Sequence, residues 1–160
     1  IKTLDVEGTI KITVGDKQAA FAFGNMYIVS KLVEGTFPNF RQVIPAQCEE
    51  RVSIEREMLL TTIRRVSLVS DKTSSVTLAF DKNQVIVSTV SAEVGEASES
   101  VAIKYSGKAI AIAFNPEFIM DCLRALTTDE VAIEFSDDLS PGVIKCDAPF
   151  IYVLMPMRIR

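Results

Sequence analysis

The chain has 160 residues, enough to bury a full core in one or two domains. Its 17 Lys and Arg stand against 21 Asp and Glu, a net charge of −4 that argues against a surface coated in nucleic-acid-binding charge but leaves room for one basic face. With no histidine there is no Ser-His or Cys-His nucleophile and no HExxH zinc site, and no stretch approaches the roughly 18 apolar residues of a membrane span.

Apolar residues at spacing two dominate from the start. Ile10, Ile12 and Val14 predict a first strand, Ala19, Phe21 and Phe23 a second after the Gly15-Asp16 turn, and Tyr27 to Lys31 a third after Gly24-Asn25. Residues 35–47 carry Pro38 and Pro45 without a period and read as a linker. Val52 and Ile54 open another strand. A helical pattern over 56–69 follows, with Leu59, Ile63 and Val66 on one side and Thr61, Arg64 and Arg65 on the other. Strands are expected at 76–80, 85–90 and 99–105, with Asp81-Lys82-Asn83 as a hairpin turn and the acidic stretch 92–98 as a solvated loop. Another strand is expected at 109–113. Asn115 then caps a helix whose first position is Pro116, a favoured start, with Phe118, Ile119, Cys122, Leu123 and Leu126 as its apolar face. Strands at 131–135, 143–146 and 151–155 complete the order.

Residues 51–105 and 109–157 therefore each read strand, helix, three strands, an internal duplication of α+β type. Residues 9–33 supply three strands with no helix before them, and residues 4–12 echo 126–133. The chain is thus expected to begin where a helix of an earlier copy has ended: one whole domain and the last third of another, within a longer protein.

Candidates for chemistry are few. Asp137-Asp138 and Asp129-Glu130 sit at strand ends beside Ser or Thr, where turn formation accounts for them. Cys48, Cys122 and Cys146 lack CxxC spacing and are expected to be inert thiols in a reducing cytosol. Neither GxxxxGK[ST] nor GxGxxG is present. We expect no catalytic residue, no metal and no cofactor.

Two segments stand out. The chain closes on IYVLMPMRIR, in which Met155 and Met157 flank Pro156, a residue that cannot donate to a ladder. Earlier, Lys31 to Pro45 reads KLVEGTFPNFRQVIP. Taken with Phe114-Asn115-Pro116-Glu117-Phe118, these segments resemble, in order and spacing, the bacterial DNA polymerase III beta subunit family, the replicative sliding clamps. The resemblance covers nearly the whole chain. It implies clamp-type duplicated halves, with residues 1–35 as the last strands of the second domain, 36–50 as an interdomain linker and 51–160 as the complete third domain.

The resemblance also implies a function: a processivity factor that encircles duplex DNA without reading sequence. Polymerase III subunits, the clamp loader and repair polymerases would dock on it through Gln-Leu-x-Leu-Phe-like peptides. The groove residues it implies are Pro38, Gln42, Val43, Thr73, Asn115, Phe118, Leu139, Pro141, Val153, Leu154, Met155, Pro156, Met157 and Arg158. Gln42 is often basic in the family and Thr73 is aromatic in some members, so affinity for a given peptide is in question at both. The helices would turn Arg64, Arg65 and Arg124 toward DNA. A homodimer is implied for the whole protein and a monomer for this piece, in the cytoplasm and away from membranes. The alternative from another class is a non-catalytic fragment of an α+β enzyme whose active site lies in a missing N-terminal part.

Overall fold

The computed structural model describes residues 8–69 and 74–158. The chain divides into two compact units, Ile1–Asn39 and Phe40–Arg160. Among the described residues no helix is long and apolar enough to cross a membrane.

The first unit holds the three predicted strands, β1 (Lys11–Val14), β2 (Gln18–Phe23) and β3 (Met26–Lys31), as an antiparallel meander. The Gly15 amide donates to the Gln18 carbonyl at 2.8 Å to close the first turn, and Gly24 closes the second at a φ of +55, which favours glycine. The register sets Ile12 opposite Phe21 and Phe21 opposite Ile28, so one face of this sheet is apolar. Ala19 and Phe23 are buried, whereas Ile12, Val14 and Ile28 remain exposed.

The second unit contains the duplication. Its first half is β4 (Glu50–Glu55), α1 (Arg56–Val66), β5 (Val76–Asp81), β6 (Gln84–Ser91) and β7 (Gly95–Ala102). Its second half is β8 (Ile110–Phe114), α2 (Pro116–Ala125), β9 (Glu130–Phe135), β10 (Gly142–Lys145) and β11 (Ile151–Leu154). Each half hands its first strand to the other half's sheet. The two four-stranded sheets run β11-β10-β9-β4 and β7-β6-β5-β8, all antiparallel.

The helices pack on each other and over the sheets. Leu59, Thr62, Ile63 and Val66 of α1 are buried, as are Ile119, Met120, Cys122 and Leu123 of α2. Phe80 from one sheet stacks on Phe135 from the other, centroids 4.6 Å apart, with Tyr105 tilted against both. Burying such side chains contributes about 2–3 kcal/mol each, so the shared core is the main stabilising term.

Arg56 joins the halves at their ends. Its Nε donates to the Thr128 carbonyl at 2.9 Å and its guanidinium to the Leu123 carbonyl at 3.2 Å, while its amide meets the Asp129 carbonyl at 2.8 Å. A cation thus caps orphan carbonyls at the C-terminal end of α2.

Four expectations need correction. The stretch 92–98 is a loop only over 92–94: β7 begins at Gly95 and pairs with β6 from Ser91↔Gly95 to Gln84↔Ala102. Its acidic residues misled because Glu96 faces water while Glu99 is half-buried and bound by Arg65 and Thr62. The strand expected to run to Tyr105 ends at Ala102. The first helix stops at Val66, with a 3-10 turn over Ser67–Val69. Phe118 does not join the buried face of α2; Met120 does.

Candidate functional site

The sheet carrying β11 has two faces. Leu154, Ile144, Ile133 and Ile54 point into the core. The opposite face carries a cross-strand row of Arg51, Glu134, Val143 and Val153. Glu134 accepts from Arg51 at 2.8 Å and from Lys145 at 2.5 Å, satisfying a carboxylate that is largely covered. Val143 on this outer row is only 2% exposed, so chain must lie over it. The charges of Glu134 and Lys145 reach the Cys48 thiol, whose pKa is raised mainly by burial, which puts the approach to β4 on this face. Gln42 and Val43 stand just upstream, ending a 3-10 turn over Phe40–Gln42 that the Val43 amide closes on the Phe40 carbonyl at 3.0 Å.

Beyond Leu154 the chain leaves its sheet. Pro156 has no amide to donate, and the next amide, that of Met157, donates to the Ala113 carbonyl at 2.7 Å. That bond forms an isolated bridge on β8, the outermost strand of the other sheet. The C-terminal segment is therefore a strap that ties the two sheets together at β11 and β8. Two residues after Ala113, Asn115 caps α2, its Oδ1 accepting from the Glu117 amide at 2.9 Å. Phe118 follows within the first turn and is 55% exposed; Met155 on the strap is 60% exposed. The ladder of β10 and β11 ends at the pair Gly142↔Leu154, which Pro141 precedes on one strand and Met155 follows on the other. A Cβ on Gly142 would lie 3.0 Å from the Phe114 ring, so a larger residue on β10 here would press on the ring at the end of β8. Leu139, 68% exposed, sits in the turn that leads to Pro141.

Asn115 and Phe118 thus follow the strand that the strap joins, Leu139 and Pro141 lie on the turn that leads into β10, and the strap residues Val153 to Arg158 run from β11, the neighbour of β10, to β8. Leu154 differs from the others in being core, and Arg158 is exposed. Pro38 belongs to the first unit and is exposed. Thr73 lies outside the described residues. Sequence reasoning missed Ala113 and Gly142, which act through backbone and leave no side-chain signal, whereas the turn role expected of Asp137 is borne out by its bonds to the Leu139 and Ser140 amides.

The three helix arginines differ. Arg65 donates to Glu99 on β7, Nε to Oε2 at 3.0 Å, and this contact holds the Glu99 carboxyl below its usual range and pushes the guanidinium up. Arg124 pairs with Asp121 at 3.2 Å and touches the Met120 sulfur. Arg64 is exposed and makes no hydrogen bond or ion pair among the described residues. Of the cysteines, Cys122 is buried against the core, which pushes its thiol up to about 12. No group of His, Cys, Asp or Glu among the described residues has metal-holding geometry.

The duplicated halves, exchanged first strands and paired helices define a sliding-clamp fold, and solved clamps superpose on it. A DnaN sliding clamp (DNA polymerase III subunit beta) from Bartonella birtlesii, solved bound to griselimycin, matches 97% of this chain at 28% identity and a TM-score of 0.80. The Caulobacter crescentus DNA polymerase sliding clamp matches 94% at 27% identity and a TM-score of 0.79. In sequence, the beta sliding clamp of Chlamydia pneumoniae is 33% identical over 161 residues, all of this chain. Residues 41–158 match the family DNA polymerase III beta subunit, C-terminal domain, and the chain belongs to that family. It spans 44% of the length of the Chlamydia relative and 42% and 41% of the two solved clamps.

Proposed function

We propose that the chain is part of a bacterial processivity clamp, a ring subunit that encircles duplex DNA and docks polymerase III subunits, the clamp loader and repair polymerases through short apolar peptides. In this reading residues 1–35 close the second clamp domain, 36–50 link it to the next, and 51–160 form the third. The whole protein is a cytoplasmic homodimer without catalytic activity or cofactor, and the 160-residue piece is a monomer. Arg64, Arg65 and Arg124 face the duplex, with Arg64 the cation most available to phosphate. Gln42 and Val43 are counted with the groove residues in this reading, as the family resemblance also implies for Pro38 and Thr73.

One observation carries the docking role. Met155 is left exposed on a strap of backbone pinned at Ala113, and Phe118, in the first turn of the helix that follows β8, and Leu139, in the turn before β10, are exposed as well. Exposed large apolar groups beside a few oriented polar groups suit an apolar peptide, and methionine adapts to several. The griselimycin-bound Bartonella clamp supports ligand docking on this fold.

Calorimetric titration of the 160-residue chain with a Gln-Leu-Ser-Leu-Phe peptide tests the reading. Burying one Leu and one Phe contributes about 2 kcal/mol each before ordering costs, so weak but measurable binding is expected. Met155→Ala and Met157→Ala should each weaken it, and Arg64→Ala should not. Equal binding by all four proteins would return the strap to an ordinary last strand.

A further inference from the structure

Leu139 stands in a turn between β9 and β10 whose shape is set by one side chain. Asp137 Oδ1 accepts from the Leu139 amide at 2.8 Å and from the Ser140 amide at 2.5 Å, and Oδ2 accepts from the Ser140 hydroxyl at 2.8 Å. The Ser140 hydroxyl first, then the two amides, hold this carboxyl below its usual range; no charged neighbour contributes. Burial does not hold the turn, since Asp137, Asp138 and Leu139 are all exposed. An exposed turn without a core of its own samples many conformations unless its backbone amides are tied, and here one carboxylate ties two of them. What the turn displays is apolar: Leu139, then Pro141 directly before Gly142, whose partner Leu154 precedes Met155.

We propose that Asp137 is a positioning residue for peptide docking, its carboxylate fixing the turn so that Leu139 and Pro141 are presented beside Met155. This rests on the groove reading above. Asp137 does not touch the peptide; it removes the ordering cost that Leu139 would otherwise incur on binding.

The test is fluorescence titration of a fluorescein-labelled Gln-Leu-Ser-Leu-Phe peptide against the 160-residue chain, Asp137→Ala, Asp137→Asn, Leu139→Ala, the Asp137→Ala/Leu139→Ala pair and Met155→Ala, with a melting temperature for each. Asp137→Ala should weaken binding about fivefold, the worth of one net hydrogen bond, at an unchanged melting temperature. Asp137→Asn keeps one acceptor oxygen for the amides and should recover part of the loss. The double variant should bind no more weakly than Leu139→Ala alone, because the two residues act as a unit. A purely structural role would move the melting temperature and leave the cycle additive. Losses that multiply, unchanged binding in Asp137→Ala, or a loss there without one in Leu139→Ala would each overturn the positioning role. If Met155→Ala still weakens binding in that series, the groove reading stands without Asp137. If Met155→Ala binds as wild type, or no protein binds the peptide, the groove reading fails and the positioning role with it.

Discussion

The starts of α1 and α2 occupy equivalent places in the two halves, and they are finished differently. In register, Glu57 matches Glu117, Met58 matches Phe118, Ile63 matches Leu123 and Arg64 matches Arg124. Both helices place an acid in the first turn, where the macrodipole favours it, and both leave the next residue exposed and apolar. Yet α1 opens without a side-chain cap while Arg56 reaches across to the end of α2, whereas α2 opens on a capping Asn115 with the strap bonded two residues earlier. The duplicated scaffold is shared, and the proposed groove lies where the symmetry is broken.

The comparison can be broken most forcefully at the core. Phe80 and Phe135 are stacked partners from different sheets, so Phe80→Ala and Phe135→Ala should each cost about 3–5 kcal/mol by chemical denaturation. Similar losses in a single transition would support one shared core; a loss confined to one variant would mean that the halves are separate folding units.

Thr62 and Cys122 sharpen it next, since they match in register and both are buried. Thr62 finds Glu99, whereas Cys122 meets apolar surroundings that raise its thiol from 9.0 to about 12. In the unfolded chain the thiol ionises near 9. Stability from Cys122 is therefore fully present below pH 9 and lost as pH rises toward 12, by up to about 4 kcal/mol at roughly 1.4 kcal/mol per unit. Cys122→Ala should flatten that alkaline limb. An unchanged limb would show that the thiol ionises alike in both states.

A smaller contrast lies at the helix ends. Arg56→Ala should cost about 2 kcal/mol, since two hydrogen bonds from a charged donor are lost, and Asn115→Ala about 1 kcal/mol. Equal thermal shifts would erase the difference drawn between the two starts. The smallest effect concerns DNA. Arg64→Ala should lower the salt slope of duplex binding by about one unit, while Arg65→Ala and Arg124→Ala should change it less, because each already has a carboxylate partner.

Much of this was readable in the residues. Period-two alternation located ten of the strands because one face of each is buried, and Asn115-Pro116 marked a helix start that the structure reproduces. The strand Gly95–Ala102 was expected at 99–105 and its first half was missed because Glu and Ser outnumber apolar residues there, and the inward Glu99 is matched by an Arg65 that only tertiary structure brings near. The exchange of β4 and β8 between sheets was illegible, because alternation says which face is buried and not which neighbour pairs. Phe118 shows the converse error. Helical spacing placed it with the buried residues, but it sits at the margin of that face, where a neighbour rather than the helix decides exposure.

The exchanged strands also set the order in which this chain can fold. Arg51 on β4 finds its partner Glu134 on β9 only 83 residues later. At about 5–20 residues per second on a ribosome, β4 would emerge roughly 4–17 seconds before its neighbour exists. During that interval it is an unpaired edge, and loop-closure entropy delays the pairing further. Its sequence, ERVSIE, places charge at both ends and on three of its six positions, which discourages a nascent β4 from pairing with a neighbouring chain while it waits.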